Sequence, residues 1–148
     1  MLPSSGPAPQ TQTPERSGLI VSPNHTPRIL IVEDEPFIAL MIEEMIEELG
    51  YQVAGTAHTM AIAGQEFAKR NYDLVLLDLN MGGQYHAATA DHLLGWNVPF
   101  AFVTGYDYLV EPRHQDIPVL QKPFELDDLR ALLKDLLRPE SARLAQAG

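Results

Sequence analysis

Cysteine is absent from the chain. That excludes a disulfide framework, a thiolate metal site and a cysteine nucleophile, and it suits a reducing compartment. Basic residues are scarce: ten Lys and Arg stand against twenty Asp and Glu, giving a formal net charge of -10. Direct nucleic-acid binding is thereby disfavoured, because phosphate contacts need a basic surface. An acidic balance fits a site that gathers carboxylates, or a surface that faces a basic partner. No apolar run approaches the length of a membrane span, and the N-terminus lacks a basic segment followed by an apolar one. A cytoplasmic protein with no membrane partner is expected. Internal repeats are also missing. The 148 residues suit about one domain, large enough to bury a core without staples.

What is present centres on Leu74-Val75-Leu76-Leu77-Asp78, an apolar run that ends in an acid and passes at once into Leu79-Asn80-Met81-Gly82-Gly83. A short continuous apolar run reads as a strand buried on both faces of a parallel sheet. The acid at its end admits two readings. It caps the following turn through an Asx-type bond, or it serves chemistry at the sheet edge where α/β proteins place their sites.

Further strands are expected at Arg28–Val32, Tyr51–Thr56, Asp73–Leu77, Val98–Val103 and Ile117–Gln121. Between the first two, Pro36 suits a first helical turn, and Ile38, Met41, Ile42, Met45, Ile46 and Leu49 recur at helical spacing before Gly50 ends the helix. Thr59 can cap a second helix over Ile62, Ala63, Phe67 and Ala68. Gly82 to Asn97 is poorly legible, although Ala87, Ala88, Ala90, Leu93 and Leu94 suggest a helix. Tyr106 to Asp116 holds at most one helical turn, since Pro112 disfavours anything long. The last helix carries the stripe Leu126, Leu129, Leu132, Leu133, Leu136 and Leu137, and Pro139 bounds it. All these stripes are read as core. Residues 1–27 are rich in Pro, Ser, Gln and Thr and are expected to be a disordered tail, with Leu19-Ile20-Val21 as its apolar patch. A domain over 28–138 and a short tail over 139–148 complete the division. Alternating strands and helices imply a doubly wound parallel sheet with helices on both faces.

In such a sheet the carboxyl ends of all strands share one edge. The first brings Glu33 and Asp34, the third Asp78, the fourth Thr104 and the fifth Lys122. Three gathered carboxylates repel one another and raise one another's pKa values unless a cation joins them. Oxygen ligands of this kind suit Mg²⁺, and a hydroxyl and an ammonium beside them make a cradle for a phosphoryl group. Asp78 is then a candidate carboxylate nucleophile. Each element alone is weak evidence. Their conjunction on four strand ends is not.

These residues, in Ile31-Val32-Glu33-Asp34-Glu35-Pro36, Leu76-Leu77-Asp78, Val103-Thr104-Gly105 and Gln121-Lys122-Pro123, resemble the receiver domain of bacterial response regulators over about Arg28 to Arg138. The resemblance implies a CheY-like, flavodoxin-like α/β fold with five parallel strands in the order 2-1-3-4-5. It implies a signalling phosphoacceptor rather than an enzyme. Asp78 would receive a phosphoryl group from a sensor histidine kinase or a histidine phosphotransfer protein. Asp34, Asp78 and the backbone carbonyl of Asn80 would ligate Mg²⁺, with Glu33 acting mainly through water. Thr104 would bond the phosphoryl group and Lys122 would pair with its charge, next to a cis Lys122-Pro123 peptide. A downstream regulatory protein is a further partner the family implies. The protein would act as a stand-alone receiver, by partner binding, relay or phosphate sink.

Two details depart from most receivers. The position usually held by a switching aromatic corresponds to Val119. The stretch Pro99-Phe100-Ala101-Phe102-Val103-Thr104-Gly105-Tyr106 instead resembles a subfamily of single-domain receivers with a Pro-Phe-x-Phe-Ala-Thr-Gly-Tyr motif, which points to kinase-linked stress signalling in proteobacteria. Two rival classes fit these residues less well. An aspartyl-nucleophile phosphohydrolase would need an acid two residues after Asp78, where Asn80 stands. A degenerate receiver acting as a phosphorylation-independent binding module sits poorly with intact Asp78, Thr104 and Lys122. The histidines His25, His58, His86, His92 and His114 show no metal-ligand spacing, and surface or loop positions are expected for all five, with a place near the site as the alternative for His114.

Overall fold

The computed structural model describes residues 25–105 and 110–138. Most of the expected N-terminal tail, with Leu19-Ile20-Val21, lies outside them, as do residues 106–109 and the expected tail from Pro139. Five strands are formed: β1 (Arg28–Val32), β2 (Gln52–Ala57), β3 (Leu74–Asp78), β4 (Phe100–Thr104) and β5 (Val119–Gln121). They make one sheet in the order β2-β1-β3-β4-β5, every neighbouring pair parallel. Among the described residues four α-helices accompany them: α1 (Pro36–Glu48), α2 (Met60–Lys69), α3 (Ala87–Gly95) and α4 (Leu126–Leu136). Between β4 and β5 the described residues hold a single 3-10 turn, Pro112–His114, in keeping with the weak helical pattern there.

The central strands are apolar throughout because both faces are covered. Alternate residues serve different cores, as the period of two in a strand requires. Leu30, Val32, Val75, Leu77, Phe100 and Phe102 pack with Ala63 and Phe67 of α2 and Ala90 and Leu93 of α3. Ile29, Ile31, Leu74, Leu76, Ala101 and Val103 pack with Ile42 and Ile46 of α1 and with Leu129, Leu133 and Leu136 of α4. The expected stripes of α1 and α4 are core, except Leu126, which is partly buried and outside both clusters. Ile62, Ala68, Ala88 and Leu94, expected in the core, are instead exposed. Helix α2 meets the sheet mainly through Ala63 and Phe67, one turn apart, so its flanking apolar positions face outward.

Strand starts fall later than expected at four places. β2 begins at Gln52, β3 at Leu74, β4 at Phe100 and β5 at Val119. Pro99 and Pro118 have no N–H to give, and join the sheet only through carbonyls that accept from Val75 N (3.1 Å) and Phe102 N (2.9 Å). Helix ends follow local chemistry. Gly50 takes φ +93, and the amides of Gly50 and Tyr51 donate to Glu47 O and Ile46 O, closing α1 with a Schellman motif. Glu125 N donates to Asp128 Oδ2 at 2.8 Å at the start of α4. The Thr59 hydroxyl accepts from Ile62 N at 3.1 Å. Thr59→Ala should lower stability by about 1 kcal/mol. Urea unfolding checks this, with the midpoint expected to fall at unchanged slope.

Candidate functional site: an acidic cluster at the carboxyl edge of the sheet

Glu33 and Asp34 follow β1, Asp78 ends β3, Thr104 ends β4 and Lys122 follows β5. Backbone pairing carries the sheet one step past these ends and fixes the site residues. Glu33 N donates to Ala57 O at 3.0 Å, Leu79 N to Val103 O at 2.9 Å, and Lys122 N to Thr104 O at 2.6 Å. The Lys122–Pro123 peptide is cis, as the resemblance implied.

The side chains converge as expected. One ligand oxygen each from Glu33, Asp34 and Asp78 lies within 4.8 Å of the others. Asp78 Oδ1 accepts from Asn80 N at 2.9 Å, so the turn-cap bond does form. It coexists with the cluster and does not replace the chemical reading. Asp34 Oδ2 accepts from Gly82 N at 3.0 Å, and Gly82 holds φ +61, a conformation that favours glycine. Glu33 is almost wholly buried, with 1% of its surface exposed. Its Oε2 accepts from Glu35 N at 3.1 Å. Its Oε1 stands 2.9 Å from Lys122 Nζ in an ion pair whose angles do not make a hydrogen bond. His58 Nδ1 lies 3.0 Å from the Glu33 carbonyl oxygen. Thr104 is buried at the end of β4, between the β3 and β5 ends.

The electrostatics show how crowded the charges are. Burial is the main cause that pushes the Asp78 carboxyl up to about 7; the charges of Glu33 and Asp34 add to the rise, while the Asn80 amide and Lys122 oppose it. One lysine therefore does not balance three carboxylates. The donor set is all oxygen, partly buried and over-negative, and it fits a hard divalent cation such as Mg²⁺. The two grooves beside Trp96, one between α2 and α3 and one between the α2–β3 and α3–β4 turns, are lined by none of these residues.

Sequence reasoning missed two features. His114 was expected on the surface or in a loop; it lies in the 3-10 turn, but no part of it is exposed. Its burial depends on Tyr85 and Asp91, far away in sequence, so no local pattern announces it. Phe37, just after the acidic pair, is 86% exposed on α1, with Leu40 half-exposed one turn further on. Val119, at the usual place of the switching aromatic, is half-exposed and lies opposite Phe102 in register.

Fold and site together define a receiver. Residues 29–134 match the family model of the response regulator receiver domain, and the chain belongs to that family. The solution structure of SdrG from Sphingomonas melonis Fr1 is similar to it, with 41% identity and a TM-score of 0.68, covering 76% of this chain and 98% of that one. The phyllosphere-induced regulator PhyR of Methylorubrum extorquens is 30% identical over 139 residues, which are 90% of this chain and 52% of PhyR. The crystal structure of PhyR from Bartonella quintana, described as an anti-anti-sigma factor, shows 30% identity and a TM-score of 0.66 over 78% of this chain and 49% of that one. The chain spans about half the length of the curated relatives PhyR, YvcP and PdtaR. Among the described residues no helix is long and apolar enough to cross a membrane.

Proposed function

We propose that the protein is a cytoplasmic stand-alone receiver that takes a phosphoryl group on Asp78 from a histidine kinase or a histidine phosphotransfer protein. The observation that carries this reading is the convergence of Glu33, Asp34 and Asp78 within 4.8 Å, with Lys122 beside them. An Asp78 oxygen attacks the phosphorus of a phosphohistidine. The P–N bond breaks, the electron pair returns to the imidazole, and an acyl phosphate forms on Asp78. Asp34, Asp78 and the Asn80 carbonyl would hold Mg²⁺, and Glu33 would act on it mainly through water. The ion supplies charge neutralisation at the transferring phosphoryl oxygens.

The chain's own groups complete the site. The Thr104 hydroxyl donates to a phosphoryl oxygen. Lys122, paired with Glu33 before transfer, turns its ammonium to the new charge. The acyl phosphate then biases binding of a downstream regulatory protein, relays the group, or drains it from a shared kinase. The likeness to PhyR and SdrG supports a role beside such regulators. Incubation with acetyl phosphate and Mg²⁺, followed by intact mass measurement, tests the reading. A labile adduct of one phosphoryl group is expected. Its absence, with the cognate kinase also failing to label the protein, overturns it.

In this reading the donor protein docks across the N-terminal end of α1, next to Glu33 and Asp34. Phe37 and Leu40 stand exposed there, an apolar pair beside an acidic pocket. Phe37→Ala should slow transfer from the kinase or phosphotransfer protein by about tenfold, the loss of one apolar anchor. Labelling by acetyl phosphate, which needs no docking, should stay within about twofold. Parallel time courses with the two donors measure this.

A further inference from the structure

Thr104 continues into the connection that returns through Glu111, Arg113 and His114 to β5. The loop between β3 and α3, which carries Asn80, runs beside that connection. A chain of hydrogen bonds joins the two. Glu111 N donates to Tyr85 Oη at 3.3 Å, and Tyr85 Oη is hydrogen-bonded to His114 Nδ1. His114 Nε2 lies 2.7 Å from Asp91 Oδ1 on α3. Arg113 grips the same carboxylate through Nε and Nη2, both at 2.8 Å. Hydrogen bonds from Arg113, then His114, hold the Asp91 carboxyl well below the usual carboxylate range, so it stays an acceptor. The carboxylate can only accept, so the imidazole donates from Nε2, and Nδ1 is engaged by the Tyr85 hydroxyl.

Both ends of this chain lead back to the phosphoacceptor pocket. From Asn80 to His86 the loop is tied within itself, by a Met81–Gln84 bridge and by His86 Nε2 on Met81 O at 2.9 Å. A shift at Asn80 is therefore carried to Tyr85. On the other side, Phe102 precedes Thr104 by two residues on the same face of β4. Its ring packs against Tyr85 at 6.1 Å and His114 at 6.2 Å, centroid to centroid. Val119, opposite Phe102, has no ring to swing and is half-exposed.

We infer that His114 is a positioning residue, acting through Tyr85, which ties the loop presenting Asn80 beside Asp78 to the turn over Glu111–His114 that leads into β5, so that filling the pocket moves α3 and that turn together. The inference rests on the phosphoacceptor reading. It replaces the missing aromatic swing with a hydrogen-bonded tie. A fully buried imidazole with both nitrogens engaged is suited to this, because loss of either partner leaves a polar atom without compensation.

The test uses the full chain, labelled with ¹⁵N, with Mg²⁺ and beryllium fluoride as phosphoryl mimic. In the wild type, amide shifts should change at Asn80 and Gly82, and also at Asp91–Leu94 and Val110–Ile117. The imidazole ¹⁵N shifts of His114 should show a proton on Nε2. Tyr85→Phe removes one hydroxyl and keeps the ring. It should still respond at Asn80 and Gly82, while the response at Asp91–Leu94 and Val110–Ile117 falls to about half or less. The acyl-phosphate half-life should change by about threefold or more. His114→Gln retains an acceptor and a donor and should recover part of the remote response; it also serves if Tyr85→Phe fails to fold. Remote responses equal to wild type in the folded variants overturn the inference. A wild type that shows no response at Asn80 and Gly82 overturns the phosphoacceptor reading instead.

Discussion

Asp78→Asn should yield no phosphoryl adduct from acetyl phosphate and Mg²⁺, under conditions where the wild type is labelled. The same substitution should make the metal-free protein more stable at neutral pH. The Asp78 carboxyl stands at about 7 in the fold, raised by burial and by the acids beside it, against about 3.9 in an unfolded chain. Between those values the folded state binds the proton that the unfolded state has lost. The slope of stability with pH is therefore negative over that window. This group's contribution is most favourable below pH 4, weakens as pH rises, and levels off above about 7. At about 1.4 kcal/mol per pKa unit, the ionised side chain costs the metal-free fold on the order of 2–4 kcal/mol. The amide removes that charge. Thermal unfolding in a chelator at pH 7.5 should show a rise of about 5 °C or more. Adding Mg²⁺ should stabilise the wild type and leave the variant nearly unchanged. A variant that melts at or below the wild-type temperature in chelator would sink the electrostatic argument, whatever the labelling shows.

The second large effect is expected at Lys122. Its ammonium is the cation 2.9 Å from Glu33, an acid with 1% of its surface exposed. Removing one partner of a buried pair leaves a charge that neither water nor protein compensates. Lys122 keeps 18% of its own side-chain surface exposed, so water reaches part of the gap. Lys122→Met should lower stability by about 2–3 kcal/mol, the lower end of the range for broken buried pairs. Glu33→Gln in the same chain should return much of the loss, because the stranded charge is gone. A double-mutant cycle in urea measures the coupling, expected at about 1–2 kcal/mol. Additive losses would mean that Glu33 draws its compensation from elsewhere.

The sheet and the acidic edge were legible because their signals are local. Leu74–Asp78 is apolar for four residues and then acidic, and parallel topology does the rest by bringing every strand end to one edge. Helix α4 declared itself through its leucine stripe and the acids in its first turn. Helix α3 did not, since His86 makes no side-chain cap bond and only Ala90 and Leu93 among its nine residues are buried. The exposure of Ile62 could not be read from spacing, because a ten-residue helix can rest on two contacts as well as on four. His114 is the clearest miss. A lone histidine in a loop carries no sign of burial; its partners are 29 and 23 positions away and meet it only in the folded chain.

The sheet also acts as a partition. One apolar layer belongs to α1 and α4, the other to α2 and α3, and they take alternate residues of the same strands. Phe37 and Leu40 project from the first pair of helices, while Asp91, at the far end of the histidine tie, sits on the second. On the docking proposed above, a donor protein seated on α1 would leave α3 uncovered. Occupancy of the two flanks would then be concurrent, and a partner on α3 would not have to wait for the donor to depart before it binds.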